Sequence, residues 1–166
     1  MASRKAPHPE GAASAAVTKD ARPLSSKPGR LYPERPIVGC LAVVRRGDRA
    51  LLAQRSLPPG IGKWGFPGGA QELGETVFEC ARRELMEETG VAAEPERVLT
   101  VIEAIRQDER GKVMTHFTLV CVLLDWRAGE GEPLHDALQV KWLAPDEAQS
   151  LDTFPDTVPI LRLALG

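Results

Sequence analysis

Few of the features that settle a function at once occur in this chain. There are three cysteines in 166 residues, Cys40, Cys80 and Cys121, far apart and with no C-x-x-C pair. That spacing excludes a zinc ribbon, and the odd number argues against a disulfide framework. Three reduced, mostly buried thiols in a cytosolic protein are the reading that remains. No apolar run approaches the roughly 20 residues of a membrane-spanning helix. Aromatic residues make up only 5% of the chain, and Tyr32 is the sole tyrosine. A basic stripe of the kind a nucleic-acid surface needs is also missing. Residues 1–35 carry seven Lys/Arg against three Asp/Glu, a net of +4, which leaves −6 for the rest of a chain whose formal charge is −2. An acidic body disfavours RNA or DNA as a partner and suits a protein that recruits divalent cations before an anionic substrate.

What is present fits one domain with a sizeable core. Residues 1–35, rich in Ala, Pro, Ser and Lys/Arg and without apolar periodicity, are predicted to be a disordered tail. They lack the apolar segment of a secretion signal, and Glu10 and Asp20 fit poorly in an acid-poor transit peptide. The ordered domain is predicted over residues 36–166. Ile37 to Arg45 and Arg49 to Arg55 are apolar runs either side of Gly47-Asp48, the pattern of a β-hairpin. The stretch SLPPGIGKWGFPGG, residues 56–69, is punctuated by Pro and Gly too often for a helix or a long strand. So long a loop in a compact domain points to function.

A helix is predicted next. Thr76 with Glu79 forms a capping box and Gly90 supplies the stop. At about 100° per residue, Val77, Phe78, Ala81 and Leu85 share an apolar arc. Glu84, Glu87 and Glu88 share the neighbouring arc, at the edge of the buried face. Carboxylates crowded on one helix face repel one another by a few tenths of a kcal/mol per pair even when exposed. A hard, oxygen-seeking cation such as Mg²⁺ compensates such crowding and is commonly shared with substrate phosphates. Beyond the helix, runs from Arg97 to Arg106 and Lys112 to Trp126 form a second hairpin, and Leu138 to Leu143 a short strand. Pro145 to Leu151 and Pro155 to Leu165 are predicted closing helices, each with Pro near its start. This order predicts a mixed α/β (α+β) fold, a sheet sandwiched by helices.

Residues 69–91, GAQELGETVFECARRELMEETGV, match the Nudix box G-x5-E-x7-R-E-U-x-E-E-x-G-U, with U aliphatic. Gly69, Glu75, Arg83, Glu84, Leu85, Glu87, Glu88, Gly90 and Val91 fill its positions without a departure. The chain therefore resembles the Nudix hydrolases, less specifically across residues 36–165. The resemblance implies an α/β/α sandwich with a central mixed sheet. It also implies hydrolysis of a nucleoside diphosphate derivative, a small-molecule nucleotide, with Mg²⁺ or Mn²⁺. Under it, Glu87 and Glu88 are metal ligands, Glu84 is a ligand or the general base, and the Gly68 carbonyl is a further metal contact. Arg83 pairs with Glu75 and holds the loop against the helix. Homodimers are common among look-alikes.

Such enzymes often draw a further acid from a late loop, for which Asp136 is the candidate, with Glu132 and Glu130 behind it. Arg55 and Lys63 are candidates for substrate phosphates, and Trp64 or Phe66 for stacking on a base. Trp126 and Trp142 sit in strand runs and read as core, and His116 as a structural histidine. His135, beside Asp136, is a weaker site candidate. The subfamily signals are mostly missing. The Pro expected of ADP-ribose hydrolases about fifteen residues past the box is replaced by Ala104-Ile105-Arg106, and no tyrosine lies near the box. A coenzyme A pattern upstream is only partly followed, with Gly60 where Arg is wanted, and there is no zinc-binding half. ADP-ribose or a nucleotide sugar is the favoured substrate. A nucleoside triphosphate pyrophosphatase and a non-catalytic nucleotide sensor are the alternatives. Removal of pyrophosphate from RNA 5′ ends is disfavoured by the acidic body.

Overall fold

The structure, a computed structural model, describes residues 30–166. The tail expected over residues 1–35 lies outside it up to residue 29. Residues 30–35 are docked: the Tyr32 N–H donates to the Met114 carbonyl at 2.8 Å and its hydroxyl to Asp108 at 3.1 Å.

Ten elements follow. They are β1 (Ile37–Arg46), β2 (Arg49–Arg55), β3 (Trp64–Gly65), β4 (Gly68–Ala70), α1 (Val77–Thr89), β5 (Ala92–Gln107), β6 (Val113–Ala128), β7 (Ala137–Leu143), α2 (Pro145–Gln149) and α3 (Thr157–Leu165). The strands form one seven-stranded sheet in the order β3-β2-β1-β6-β5, with β4 against β1 and β7 against β2. It is mixed, because β1 pairs with β6 in parallel while the other ladders are antiparallel.

Both predicted hairpins form, but the first is short. β1 and β2 pair only beside their turn, at Arg45↔Ala50 and Arg46↔Arg49. Since β6 takes one edge of β1 from Ile37 to Arg45, β2 and β4 must share the other. The strands part after the turn, and Gly68–Ala70 comes to lie beside Gly39–Leu41. The Pro/Gly-rich stretch thus carries two short strands. It is pinned from below by Leu57, Trp64 and Phe66, all buried.

Side chains alternate across the pleat and build two cores. Cys40, Ala42, Val44, Val122 and Leu124 face α1, where they meet Cys80, Ala81 and Leu85. Val43, Cys121 and Leu123 face the opposite way and pack with Trp64, Phe66 and α3 residues Ile160, Leu161 and Ala164. The result is the α/β/α sandwich. All three cysteines are free and buried, and no described helix is long and apolar enough to cross a membrane.

The capping box at Thr76 and Glu79 is present, and Gly90 ends α1 in the left-handed conformation at φ 66°. The apolar arc differs from the expectation at Phe78, which is exposed, whereas Cys80, Glu84 and Thr89 are buried. Thr89 tolerates burial because its hydroxyl donates to the Leu85 carbonyl at 2.6 Å.

Trp126 and Trp142 are half-buried at the margin of the α1-side core rather than within it. Their indole N–H groups donate to the carbonyls of Gly129 and Glu130, and the Arg46 guanidinium stands 5.3 and 4.2 Å from the two ring centroids. A buried indole needs such a polar partner. Here the partners fix the turn after β6. From that turn the chain docks on the end of α1: Glu132 N–H donates to Thr89 O and Leu134 N–H to Glu88 O. These two bonds satisfy carbonyls that a helix end leaves open. They also carry the following residues, His135 and Asp136, to the side of Glu88.

Candidate metal and phosphate site

Glycine at positions 68 and 69 has two different steric causes. A Cβ on Gly68 would lie 2.2 Å from the Cys40 carbonyl oxygen, so the β1–β4 ladder leaves no room for one. A Cβ on Gly69 would lie 2.2 Å from Glu84 Oε1. The Glu84 carboxylate rests on the bare backbone of β4, and Glu84 is only 8% exposed. One turn further along α1, the Glu88 carboxylate accepts from the Gly68 N–H at 3.2 Å. The loop and the helix therefore bring two carboxylates together against one glycine pair.

Arg83 is the clamp. Its Nε and Nη2 bind the two Glu75 oxygens at 3.0 and 2.6 Å, its Nη1 binds Glu84 at 2.7 Å, and Nη2 also reaches the Ala70 carbonyl at 3.3 Å. The bidentate geometry holds Glu75 down at about 2, helped by the Glu72 N–H. In return, the two carboxylates raise the Arg83 pKa. Arg83 is thus a cation fixed in place that orients Glu84 and ties the loop to the helix. This is the arrangement expected for Glu75 and Arg83, with Glu84 added.

Glu88 lacks such a partner. Burial, and then the negative charge of Glu84, push it up to about 8, with Asp136 adding to the effect. The Gly68 N–H and the charge of Arg55 pull the other way without prevailing. At neutral pH the protein alone holds a proton on this carboxyl. A divalent cation would displace it.

Glu87 stands apart from that pair. It is half-exposed, with Oε2 3.5 Å from Arg83 Nη1, an i,i+4 attraction that draws it to the flank of the site. Accordingly, no three acids stand at metal-binding spacing among the described residues. The donors that do converge are all oxygen, in a crowded and partly desolvated pair beside a glycine backbone. That donor set fits a hard cation such as Mg²⁺ or Mn²⁺.

Of the late-loop acids, Asp136 is the one whose charge reaches Glu88. Its backbone is fixed by Ser56, which donates to the Asp136 carbonyl through both N–H (2.9 Å) and hydroxyl (2.7 Å). Preceding it, His135 is exposed and adopts a left-handed φ of 47°. Glu130 pairs instead with Arg46 at 2.9 Å, and Glu132 contributes its backbone to the docking of the turn.

Arg55, at the end of β2, lies within reach of the charges of Glu88 and Asp136, while its Nε donates to the Leu57 carbonyl. Burial lowers its pKa and those two carboxylates oppose the shift. The other substrate candidates lie elsewhere. Lys63 is taken up by Asp152 at 2.5 Å. Trp64 is 4% exposed and packs, with Phe66, in the core on the face away from α1. Pairing of β3 with β2 turns both aromatics inward, so neither offers a ring to a base. His116 is paired with Glu103 at 3.2 Å on the β5–β6 ladder, a structural role. The charges of Arg106 and Arg30 also lower the Arg55 pKa.

A family model, that of the NUDIX domain, matches residues 33–164. The chain is 33% identical over 113 residues to an ADP-ribose pyrophosphatase of Methanocaldococcus jannaschii, covering 68% of this chain and 64% of that protein. It is 41% identical over 54 residues to an oxidized purine nucleoside triphosphate hydrolase of Danio rerio, covering 32% of this chain and 35% of the other. Among solved structures, a MutT NUDIX hydrolase from Burkholderia pseudomallei superposes with a TM-score of 0.68 at 30% identity, covering 78% of this chain and 98% of that one. The chain spans less than two thirds of the length of these two curated relatives.

Proposed function

This chain belongs to the NUDIX family, and from that membership we propose that it hydrolyses the diphosphate linkage of a nucleoside diphosphate derivative. ADP-ribose or a nucleotide sugar is the favoured substrate, and the products are a nucleoside monophosphate and a phosphorylated partner. The observation that carries the reading is the pair Glu84 and Glu88, crowded on Gly68-Gly69 with Arg55 opposite. A nucleoside triphosphate is the second reading, motivated by the likeness to a triphosphate hydrolase. Three buried free cysteines support a reducing, cytosolic setting.

Glu84, Glu88 and the Gly68 backbone would hold Mg²⁺ or Mn²⁺, with Asp136 and Glu87 within the same acidic surroundings. Bound there, the metal supplies neutralisation of the diphosphate charge and polarises its phosphoryl oxygens. Arg55 binds a phosphate oxygen from the other side, and being partly desolvated it acts at full strength. Arg83 keeps the Glu84 carboxylate aimed into the site. Glu84 or Glu87 takes the proton of the attacking water. Phosphoryl transfer asks for positioning and electrostatics rather than covalent help, and these are the roles assigned to these residues.

The test is a panel: ADP-ribose, nucleotide sugars, dinucleotides, coenzyme A and nucleoside triphosphates with Mg²⁺, phosphate being counted with and without added phosphatase. Turnover of a diphosphate-linked compound that requires metal is the expected result. Binding of ADP-ribose in the presence of metal, without hydrolysis of any compound, would favour a sensor instead.

Two alanine substitutions separate the fold from the site. Gly68→Ala drives a Cβ into the Cys40 carbonyl, which cannot move without breaking β1–β4 pairing, and is expected to cost about 3 kcal/mol, the upper part of the overpacking range. Gly69→Ala meets only the flexible end of Glu84. It is expected to cost less stability than Gly68→Ala, because a side chain yields where a backbone carbonyl cannot, but roughly 100-fold in turnover, because a misplaced carboxylate forfeits positioning. Thermal melts and turnover measured on both proteins check the contrast, and equal stability losses would refute it.

A further inference from the structure

The turn that carries Asp136 is tied to both sides of the site. The Ala137 N–H closes it by donating to the Leu134 carbonyl at 3.0 Å, which leaves His135 and Asp136 as its central residues. His135 takes up a left-handed φ of 47°, a conformation that side chains disfavour and that persists only where the surroundings enforce it. Three attachments do so. The Leu134 N–H donates to the Glu88 carbonyl at 3.0 Å and joins the turn to α1. Ala137 stands opposite Arg55 in the β2–β7 ladder, across the bulge between Gln54 and Arg55. Ser56 supplies the third: its N–H and its hydroxyl both donate to the Asp136 carbonyl, at 2.9 and 2.7 Å.

The two donors of Ser56 differ in what they add. The N–H alone gives the Asp136 carbonyl a partner, as any residue at that position except proline would. The hydroxyl brings a second donor to the same oxygen and so fixes the orientation of the peptide next to the Asp136 side chain. We propose that Ser56 is a positioning residue: its hydroxyl holds Asp136 beside Glu88, in the shell of carboxylates around the divalent cation. This rests on the metal-dependent hydrolase reading and extends the site beyond the motif. The charge of Asp136 acts on both Glu88 and Arg55. No three acids stand at metal-binding spacing among the described residues, so Glu84 and Glu88 are the direct donors, and Asp136 faces the cation through the waters that Mg²⁺ retains. Groups that order the surroundings of a metal in this way are worth about ten- to hundredfold in affinity.

The experiment uses the full chain without substrate, and its probe is the metal alone. Calorimetry gives the Kd of Mg²⁺ and of Mn²⁺ for wild type, Ser56→Ala, Ser56→Thr, Asp136→Asn and the double variant Ser56→Ala/Asp136→Asn. Expected for Ser56→Ala is a rise of about tenfold in Kd, most of it recovered by Ser56→Thr, which restores the hydroxyl. Asp136→Asn should raise Kd by at least as much. Adding Ser56→Ala to it should change Kd by less than about twofold, because both act through one carboxylate. Melts of the metal-free proteins accompany each Kd. A Ser56→Ala protein that melts lower but binds metal as the wild type does would overturn the proposal, and so would a loss that adds in full to that of Asp136→Asn. On a compound that the chain consumes, the Mg²⁺ concentration for half-maximal rate should rise by the same factor, with KM at saturating Mg²⁺ unaltered. A wild-type chain that consumes nothing in the panel would overturn the hydrolase reading alone, because the metal Kd values test Ser56 without any substrate.

Discussion

Glu88→Gln is expected to lower metal-dependent turnover by well over 100-fold, more than the ten- to hundredfold typical of residues that only orient a metal ligand. The metal-free protein, by contrast, should gain stability from the same change at alkaline pH. In the folded state Glu88 binds its proton up to about pH 8, whereas in the unfolded chain it loses it near 4.5. Between those values the folded state holds the extra proton, so stability falls as pH rises from about 4.5 through 8. Above 8 the full penalty is present, on the order of a few kcal/mol. Glutamine matches the protonated carboxyl and has no proton to lose. Melting temperatures of wild type and variant without metal should therefore coincide near pH 5 and diverge, variant higher, toward pH 8.5. Mg²⁺ should restore the wild type and leave the variant unmoved, and its binding should release about one proton at pH 7. A gap that stays constant with pH would mean that Glu88 is ionised without metal.

Arg83→Ala should be the most destabilising single change in the motif. It strands Glu75 and Glu84, whose side chains are 15% and 10% exposed, and frees the Ala70 carbonyl. Breaking a buried ion pair costs about 3–5 kcal/mol, and the low end applies because Arg83 keeps some contact with water. Glu75, no longer held at about 2, should titrate nearer to an ordinary carboxylate, so the wild type should lose this stabilisation as pH falls from about 4.5 through 2. Arg83→Lys keeps the charge but not the fork and should recover only part of the loss. Urea melts at pH 7 and pH 3 check both statements: the two proteins should differ by about 3 kcal/mol at pH 7 and by less at pH 3. Matching midpoints at pH 7 would refute the clamp.

The parts of this molecule that were legible in the sequence are those in which local chemistry decides. The cap at Thr76, the left-handed stop at Gly90, the turn at Gly47-Asp48 and the Glu75–Arg83 pair all depend on residues a few positions apart. They stand where the motif puts them. What pattern alone misread was decided by long-range pairing. Trp64 and Phe66 sit in a loop-like stretch and could pass for exposed rings, yet two residues of pairing with β2 turn them into the core.

The central claim is metal-dependent attack of water on a diphosphate linkage, and ³¹P NMR of turnover in ¹⁸O-water with Mg²⁺ tests it most directly, run on whichever diphosphate-linked compound in the panel is consumed. The account predicts a nucleoside monophosphate and a phosphorylated partner, with ¹⁸O on the phosphorus of one product only and no reaction once the metal is chelated. Products without label in either phosphate, or cleavage that continues in chelator, would contradict it.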